Sequence, residues 1–270
     1  MKVIHFQPNP KSEARVVGYL HDPVPAEMPS RVERPCVVVF PGGGYTFLSE
    51  READPPAMAF FAKGYQVFVL YYSIGKMATE LRPLVDGSLT LMEIRRKSAE
   101  WHVIPDKIAV MGFSAGGHAA ASLGTLWNSS ELKKRIDTEG GANRPNAMIL
   151  CYSVITAAEL AHKGSIETLC GGNPTEKQKE FYSLEKHVDA NTPPTFLWHT
   201  VEDGTVPVEN SMMFAAALQK NNIPFECHIF QKGGHGMSLC NTEVGSENPH
   251  DAAWFPLCAE WLGSLFEFSY

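Results

Sequence analysis

The sequence has few of the features that mark a disulfide scaffold, a membrane protein or a secreted protein. Its 270 residues include six cysteines, none of which has C-x-x-C spacing, so we expect reduced, mostly buried thiols. No apolar stretch approaches the length of a membrane span. The amino terminus turns polar too early for a secretory signal. These absences predict a cytoplasmic protein that has no contact with a membrane.

Basic charge is also scarce. The chain has 23 Lys and Arg against 30 Asp and Glu, and its basic runs are no longer than three residues. An acidic chain repels phosphate backbones, so we expect no nucleic-acid partner. The hydrophobic fraction of 44% exceeds what disordered or collagen-like chains contain. At this length the composition predicts one large core, and we expect a single domain over residues 1–270.

Apolar strand patterns alternate with helical patterns along most of the chain. We predict strands over residues 15–20, 36–40, 65–72, 107–111, 147–152, 195–199 and 225–230. Helices are expected at 54–64, 81–101, after residue 114, at 207–220 and in a final segment that ends near 266. This alternation predicts an α/β fold with a mostly parallel sheet of about eight strands, helices on both faces and no large cap.

Two segments interrupt the alternation. Residues 21–35 contain four prolines, which predict an exposed connector without regular pairing; these are Pro23, Pro25, Pro29 and Pro35. Residues 153–194 are irregular and predict a lid-like insertion with no strand. A short helix is expected there, with Asn173 as its cap and Pro174 in its first turn.

The G-x-S-x-G pattern at Gly112-Phe-Ser114-Ala-Gly116 lies between a predicted strand and an alanine-rich helical pattern. A serine at such a strand-to-helix turn is presented above the carboxyl edge of the sheet, where α/β proteins place their active sites. Its neighbours must be small because a Cβ atom would collide with the adjacent elements. A glycine-rich structural turn is the alternative, and we predict that Ser114 is a nucleophile.

A serine hydroxyl needs a base, and the base needs an orienting acid. His235 lies between glycines after the last predicted strand, where it has no packing role, so we predict that it is the base. Asp203 follows the preceding strand, and Gly204 after it favours a tight turn. Glu202 is the rival acid, and a solvated loop acid is the alternative for Asp203. The other histidines fit less well, and His118 and His199 could at most support the site from behind.

Donors for a developing oxyanion are expected from the glycine-rich run Phe40-Pro-Gly-Gly-Gly-Tyr45. A phosphate-binding loop is excluded here because neither G-K-[ST] nor G-x-G-x-x-G is present. We assign oxyanion donation to the amides of Gly43, Gly44 and Ala115. Three further residues are predicted to contact substrate; they are Tyr45, Phe113 and Val206.

These motifs resemble those of the esterase and lipase families with the α/β-hydrolase fold, in particular the cap-less branch of acetylxylan esterase-like carbohydrate esterases. The resemblance extends from about residue 16 onward. It implies that Ser114, Asp203 and His235 are the nucleophile, acid and base, and that glycines 43 and 44 form the oxyanion hole. The sequence departs from the family at Pro41, where many members have histidine, and at Tyr71-Tyr72-Ser73, where Asn-Tyr-Arg is usual.

The expected activity is hydrolysis of short-acyl esters, such as acetate esters of a small alcohol or sugar, without a metal or cofactor. The short-acyl preference follows from the resemblance and from the lack of room for a large cap. Peptidase or thioesterase activity with the same triad stays open, as does a non-catalytic binding protein with this fold. We expect a small-molecule ester substrate and a monomer or homodimer.

Overall fold

Within residues 1–28 and 31–269, which the computed structural model describes, eight strands form one sheet. Their bounds are β1 Lys2–Phe6, β2 Arg15–Leu20, β3 Arg34–Phe40, β4 Gln66–Tyr71, β5 Val103–Phe113, β6 Ala147–Cys151, β7 Thr195–Thr200 and β8 Phe225–Phe230. The strand order is β1-β2-β4-β3-β5-β6-β7-β8, with β1–β2 and β2–β4 antiparallel and all other pairs parallel. The predicted fold class is confirmed.

Strand β1 was not predicted. It lies at the sheet edge, where most of its residues are exposed or half-buried, and therefore it lacks the continuous apolar pattern of the inner strands. The inner strand β3 shows that pattern fully. Cys36, Val38 and Phe40 pack into the core on one face of the sheet, while Val37 and Val39 pack into the core on the other. Helices therefore have to cover both faces.

The α-helices of the described residues are α1 Asp54–Ala62, α2 Arg82–Arg96, α3 Ser98–Trp101, α4 Ala115–Leu126, α5 Ser130–Lys133, α6 Lys163–Cys170, α7 Glu176–Tyr182, α8 Glu209–Lys220 and α9 Trp254–Leu265. The helix predicted over 81–101 is interrupted at Lys97, which separates α2 from α3. No helix among these combines the length and apolarity needed to cross a membrane. All six cysteines are free thiols, four of them buried.

The two irregular segments differ from prediction in detail. The connector ends earlier than expected because Pro35 belongs to β3, where the register shifts between Arg34 and Cys36; proline is tolerated at such a bulge. Pro29 lies outside the described residues. Residues 153–194 contain two helices, α6 and α7, where one was predicted. Thr175 caps α7 through a capping box, so the prediction of Asn173 as the cap was wrong.

Candidate active site

Ser114 lies at the sharp turn between β5 and α4. Its backbone has φ 53° and ψ −120°, a conformation that is strained for a residue with a side chain. The flanking glycines allow the close approach that this turn needs. A Cβ atom on Gly112 would lie 2.2 Å from the Gly116 carbonyl oxygen, and one on Gly116 would lie 2.1 Å from the Phe40 carbonyl oxygen. The predicted steric reason for G-x-S-x-G therefore holds in this chain.

The three residues predicted as a triad form a continuous line of hydrogen bonds. Ser114 Oγ donates to His235 Nε2 at 2.8 Å, and His235 Nδ1 donates to Asp203 Oδ2 at 2.7 Å. The three side chains come from the loops after β5, β7 and β8, so the carboxyl edge of the sheet brings them together. Their order and spacing suit proton transfer from the hydroxyl to the imidazole.

Asp203 is buried and receives donors on both oxygens. The backbone N–H groups of Thr205 and Val206 donate to Oδ1, each at 2.9 Å, while His199 Nε2 approaches Oδ2 at 3.1 Å. Burial alone would raise the pKa of Asp203, but the hydrogen bonds from His199 and His235 outweigh it and hold the pKa well below its usual range. Asp203 is therefore a carboxylate throughout the neutral range, able to orient an imidazole.

Glu202, the rival acid, points elsewhere. Its side chain is exposed, and Oε2 accepts a long hydrogen bond of 3.4 Å from the Gly233 N–H. The hydrogen bond to His235 is made by Asp203, as expected from the tighter turn before Gly204.

The predicted oxyanion donors belong to the glycine-rich run after β3 and to the first residue of α4. Gly43 has φ 127°, and a Cβ atom there would lie 2.1 Å from the Phe47 carbonyl oxygen, so only glycine fits. Among the described residues, no acceptor is paired with the N–H groups of Gly43, Gly44 or Ala115. Ala115 also begins α4, whose dipole favours negative charge at that end. Backbone N–H groups that are free to donate suit a developing oxyanion.

Three side chains hold the loop that carries these glycines. Tyr72 Oη donates to the Pro41 carbonyl at 2.6 Å, and the Gly42 N–H donates to Glu52 Oε2 at 3.0 Å. Tyr45 Oη lies 2.9 Å from His118 Nδ1. The Pro41 carbonyl is thus held by Tyr72, which lies in the second segment where the sequence departs from the family.

His118 is fully buried beneath this loop, and its hydrogen bonds define its neutral form. Nε2 lies 3.0 Å from the Tyr182 carbonyl oxygen, which only accepts, so Nε2 carries the hydrogen and Nδ1 accepts from Tyr45. Burial lowers the pKa of His118 to about 4, although the bond to the Tyr182 carbonyl acts in the opposite direction. His118 therefore stays neutral in the folded protein at physiological pH.

We expect His118 to make folding stability depend on pH. The unfolded side chain protonates near pH 6.5 and the folded one near 4, so stability is lost as pH falls through that window, by up to about 3 kcal/mol. In urea titrations at pH 7, 5.5 and 4.5, His118→Gln should show a shallower loss than wild type. The exposed His5→Gln serves as the control with a wild-type slope. Equal slopes for His118→Gln and wild type would contradict this assignment.

The three residues predicted to contact substrate have no side-chain surface to offer. Phe113 is fully buried and packs against Tyr152 and Trp254 below the site. Tyr45 is buried against His118, and Val206 is buried while its N–H holds Asp203. Burial leaves these side chains little surface for a substrate, and their assignment as substrate-binding residues stays a prediction.

A groove that the sequence did not indicate begins at Gly44. It encloses about 570 Å³ between the glycine loop, residues 75–79 and α6, with Thr46, Lys76, His162 and Glu167 among its lining residues. His162 Nδ1 lies 2.8 Å from Ser165 Oγ, and its Cε1 atom would lie 3.8 Å from a Cβ atom on Gly44. Burial lowers the pKa of His162, and the charge of His235 lowers it further. The predicted lid-like insertion thus forms a wall beside the predicted oxyanion hole.

In the ranges 1–28 and 31–269, no three His, Cys, Asp or Glu side chains are grouped as metal ligands. The chemistry that the arrangement offers is acid–base and nucleophilic.

Comparisons with known proteins agree with the fold and the motifs. Residues 25–218 match the family described as BD-FAE. A crystal structure of an acetyl ester-xyloside bifunctional hydrolase from Caldicellulosiruptor lactoaceticus is 37% identical, with a TM-score of 0.85 over 97% of this chain and 92% of that one. The carboxylesterase Cest-2923 from Lactobacillus plantarum is 25% identical, with a TM-score of 0.86 and full coverage of both chains.

Curated relatives are longer than this chain. It is 40% identical to endo-1,4-beta-xylanase B of Butyrivibrio fibrisolvens over 85% of its own length, and 28% identical to acetylxylan esterase of Xylanibacter ruminicola over 78%. The matches cover 35% of the xylanase and 43% of the acetylxylan esterase. The chain therefore spans less than half the length of these two relatives.

Proposed function

The chain belongs to the BD-FAE family, and from that premise we propose that it is a serine esterase that cleaves short-acyl carboxylic esters, with Ser114 as nucleophile. The observation that carries this proposal is the unbroken line of hydrogen bonds from Ser114 through His235 to Asp203. A protein that only binds a ligand would not need a serine in a strained backbone conformation, hydrogen-bonded to a histidine, at the carboxyl edge of the sheet.

The proposed reaction has two halves. Ser114 Oγ attacks the ester carbonyl while His235 Nε2 takes its proton, and Asp203 stabilises the imidazolium that forms. The carbonyl oxygen becomes an oxyanion that accepts hydrogen bonds from Gly43, Gly44 and Ala115. His235 then gives its proton to the departing alcohol, which leaves an acyl-serine. Water, deprotonated by the same imidazole, attacks this ester and releases the carboxylic acid and the free serine.

We place the alcohol half of the substrate in the groove beside Gly44. The groove is open and its walls include several side chains that can hydrogen-bond hydroxyl groups, such as Thr46, Lys76 and Glu167. A relative is described as an acetylxylan esterase, and a similar structure as an acetyl ester-xyloside hydrolase. These names and the polar groove together support an acetylated sugar as the substrate.

The substrate class is tested by a panel of p-nitrophenyl acetate, butyrate and octanoate, acetylated xylo-oligosaccharides, an acyl thioester and an aminoacyl amide. We expect kcat/KM to fall at least about tenfold from acetate to octanoate, the scale on which pockets discriminate chain length. His162→Ala should raise KM for the acetylated sugar and leave KM for p-nitrophenyl acetate nearly unchanged. Faster cleavage of the amide or thioester than of every ester would overturn the proposal.

A further inference from the structure

Glu52 is a buried carboxylate that the proposed mechanism does not use. Its side chain is 3% exposed and lies directly behind the glycine loop. Oε2 accepts a hydrogen bond from the Gly42 N–H at 3.0 Å, and Oε1 accepts one from Tyr152 Oη at 2.7 Å. A Cβ atom on Gly42 would lie 2.4 Å from Glu52 Oε2 and 3.1 Å from Ser114 Cβ, so the carboxylate is close to the nucleophile.

Tyr152 extends this contact to the loop that carries His235. The Ser238 N–H donates to Tyr152 Oη at 2.9 Å, so the hydroxyl donates to Glu52 and accepts from Ser238. The ring of Tyr152 also packs edge-to-face against the His235 imidazole, with centroids 5.1 Å apart. One side chain thus supports both the base and the loop after it.

Ser238 is held from two further directions. Its Oγ donates to the Arg51 carbonyl at 2.6 Å, next to Glu52 in the chain, and Trp254 Nε1 donates to the Ser238 carbonyl at 2.9 Å. The loop that carries the base is therefore bound to residues 51–52 and to α9. Residues 51–52 in turn are bound to the glycine loop through Gly42.

The electrostatic surroundings of Glu52 are mixed. Burial is the main effect and raises the pKa of its carboxyl, while the hydrogen bond from Tyr152 and the charge of His235 lower it. The titratable groups that interact with Glu52 are Tyr152 and Cys151 at the end of β6, Tyr72 after β4, His235 in the base loop and neighbouring Arg51.

We propose that Glu52 is a positioning residue that couples two loops: the glycine loop, residues 41–45, and the loop that carries His235, residues 231–238. The coupling runs through Gly42 on one side and through Tyr152 and Ser238 on the other. This role rests on the proposed esterase mechanism. By fixing the Gly42 N–H, Glu52 sets the plane of the peptide that precedes the Gly43 donor. By holding Tyr152, it fixes the loop on which His235 reaches Ser114. Both groups must be placed within fractions of an ångström for catalysis.

The two donors that converge on Glu52 require a group that only accepts. A carboxylate accepts at both oxygens, whereas the amide of glutamine has one oxygen and one NH₂ donor. In Glu52→Gln the NH₂ group must face either the Gly42 N–H or the Tyr152 hydroxyl. An isosteric substitution therefore either breaks the contact with Gly42 or reverses the one with Tyr152, whose O–H then loses its acceptor, and it leaves no cavity.

We expect Glu52→Gln to lower kcat by about tenfold to a hundredfold, less than direct removal of an oxyanion donor, with KM changed less than about threefold. Tyr152→Phe keeps the ring against His235 but removes the bridge, and should give a similar loss. The double variant should be no more than about twofold slower than the slower single variant, because both changes break one chain of contacts.

Asp86→Asn is the matched control. Asp86 is also a buried carboxylate on which donors converge, namely the Asn9 amide, the Ser12 hydroxyl, and the N–H and hydroxyl of Ser73, and none of these donors belongs to either loop. Asp86→Asn should lower the free energy of unfolding, while kcat per folded molecule stays within about twofold of wild type. Wild-type kcat in Glu52→Gln, additive losses in the double variant, or equal kcat losses in Asp86→Asn would each overturn the coupling role.

Failure of this role is distinguishable from failure of the esterase proposal. A wild-type protein that cleaves no ester in the panel contradicts the esterase proposal itself. The rate of Ser114 labelling by a fluorophosphonate reports on nucleophile, base and oxyanion donors without a natural substrate. Labelling at the wild-type rate in Glu52→Gln contradicts the positioning role alone.

Discussion

Ser114→Ala should lose at least about 10⁴-fold in kcat on p-nitrophenyl acetate, on the scale of nucleophile removal in serine hydrolases. Ser114 Oγ is the atom that attacks the ester, and it donates its proton to His235 Nε2 at 2.8 Å. Alanine has neither this oxygen nor this proton. Water would have to attack directly, assisted only by the oxyanion donors. Alanine fits the turn as well as serine does, so the fold should be retained.

The control for this variant is Ser122→Ala, on the same helix α4 but two turns away from the nucleophile. It should keep hydrolysis within about twofold of wild type. Fluorophosphonate should label wild type and Ser122→Ala, and leave Ser114→Ala unlabelled. Hydrolysis by Ser114→Ala above about one per cent of the wild-type rate would remove Ser114 from the mechanism.

Asp203→Asn should lower kcat by about 10⁴-fold with little change in KM, as loss of the orienting carboxylate does in other triads. Oδ1 accepts from two backbone N–H groups, so the asparagine oxygen takes that position and its NH₂ group replaces Oδ2. There it faces His235 Nδ1 with a donor, which forces the hydrogen onto Nε2. The imidazole then cannot accept the proton of Ser114.

Glu202→Gln is the adjacent control, because it changes the rival acid by the same chemistry. Its exposed side chain makes only the long contact with the Gly233 N–H, which a glutamine oxygen can accept as well. We expect less than about a threefold change in kcat/KM. A larger loss of kcat/KM in Glu202→Gln than in Asp203→Asn would make Glu202, and not Asp203, the acid of the triad.

Much of the fold and the central part of the site could be predicted because their signals are local. Continuous apolar runs marked the inner strands, and the residues placed just after β5, β7 and β8 lie within hydrogen-bond distance of one another. The chemical roles of Ser114, Asp203 and His235 stay predictions until the variants are measured. The steric requirement at Gly112 and Gly116 followed from backbone geometry alone and holds in the structure.

The remaining features depend on contacts between distant parts of the chain. Glu52 and Tyr152 are separated by 100 residues, and no spacing pattern links them. Phe113 was predicted to contact substrate, yet its side chain is fully buried in the core. The edge strand β1 has too little burial to produce an apolar pattern. In each case the deciding quantity is a direction or a partner in space.

The attachment of the glycine loop to Tyr72, Glu52 and His118 has a thermodynamic consequence for turnover. These contacts form during folding, so the entropy lost when residues 41–45 become ordered belongs to the folding equilibrium. The activation barrier then contains little reorganisation of the donors, since they are already fixed when a substrate arrives. Stability and turnover are thereby linked at this loop. A substitution that makes the loop mobile raises its conformational entropy, and the loop must then be ordered again in each catalytic cycle, which raises the activation barrier.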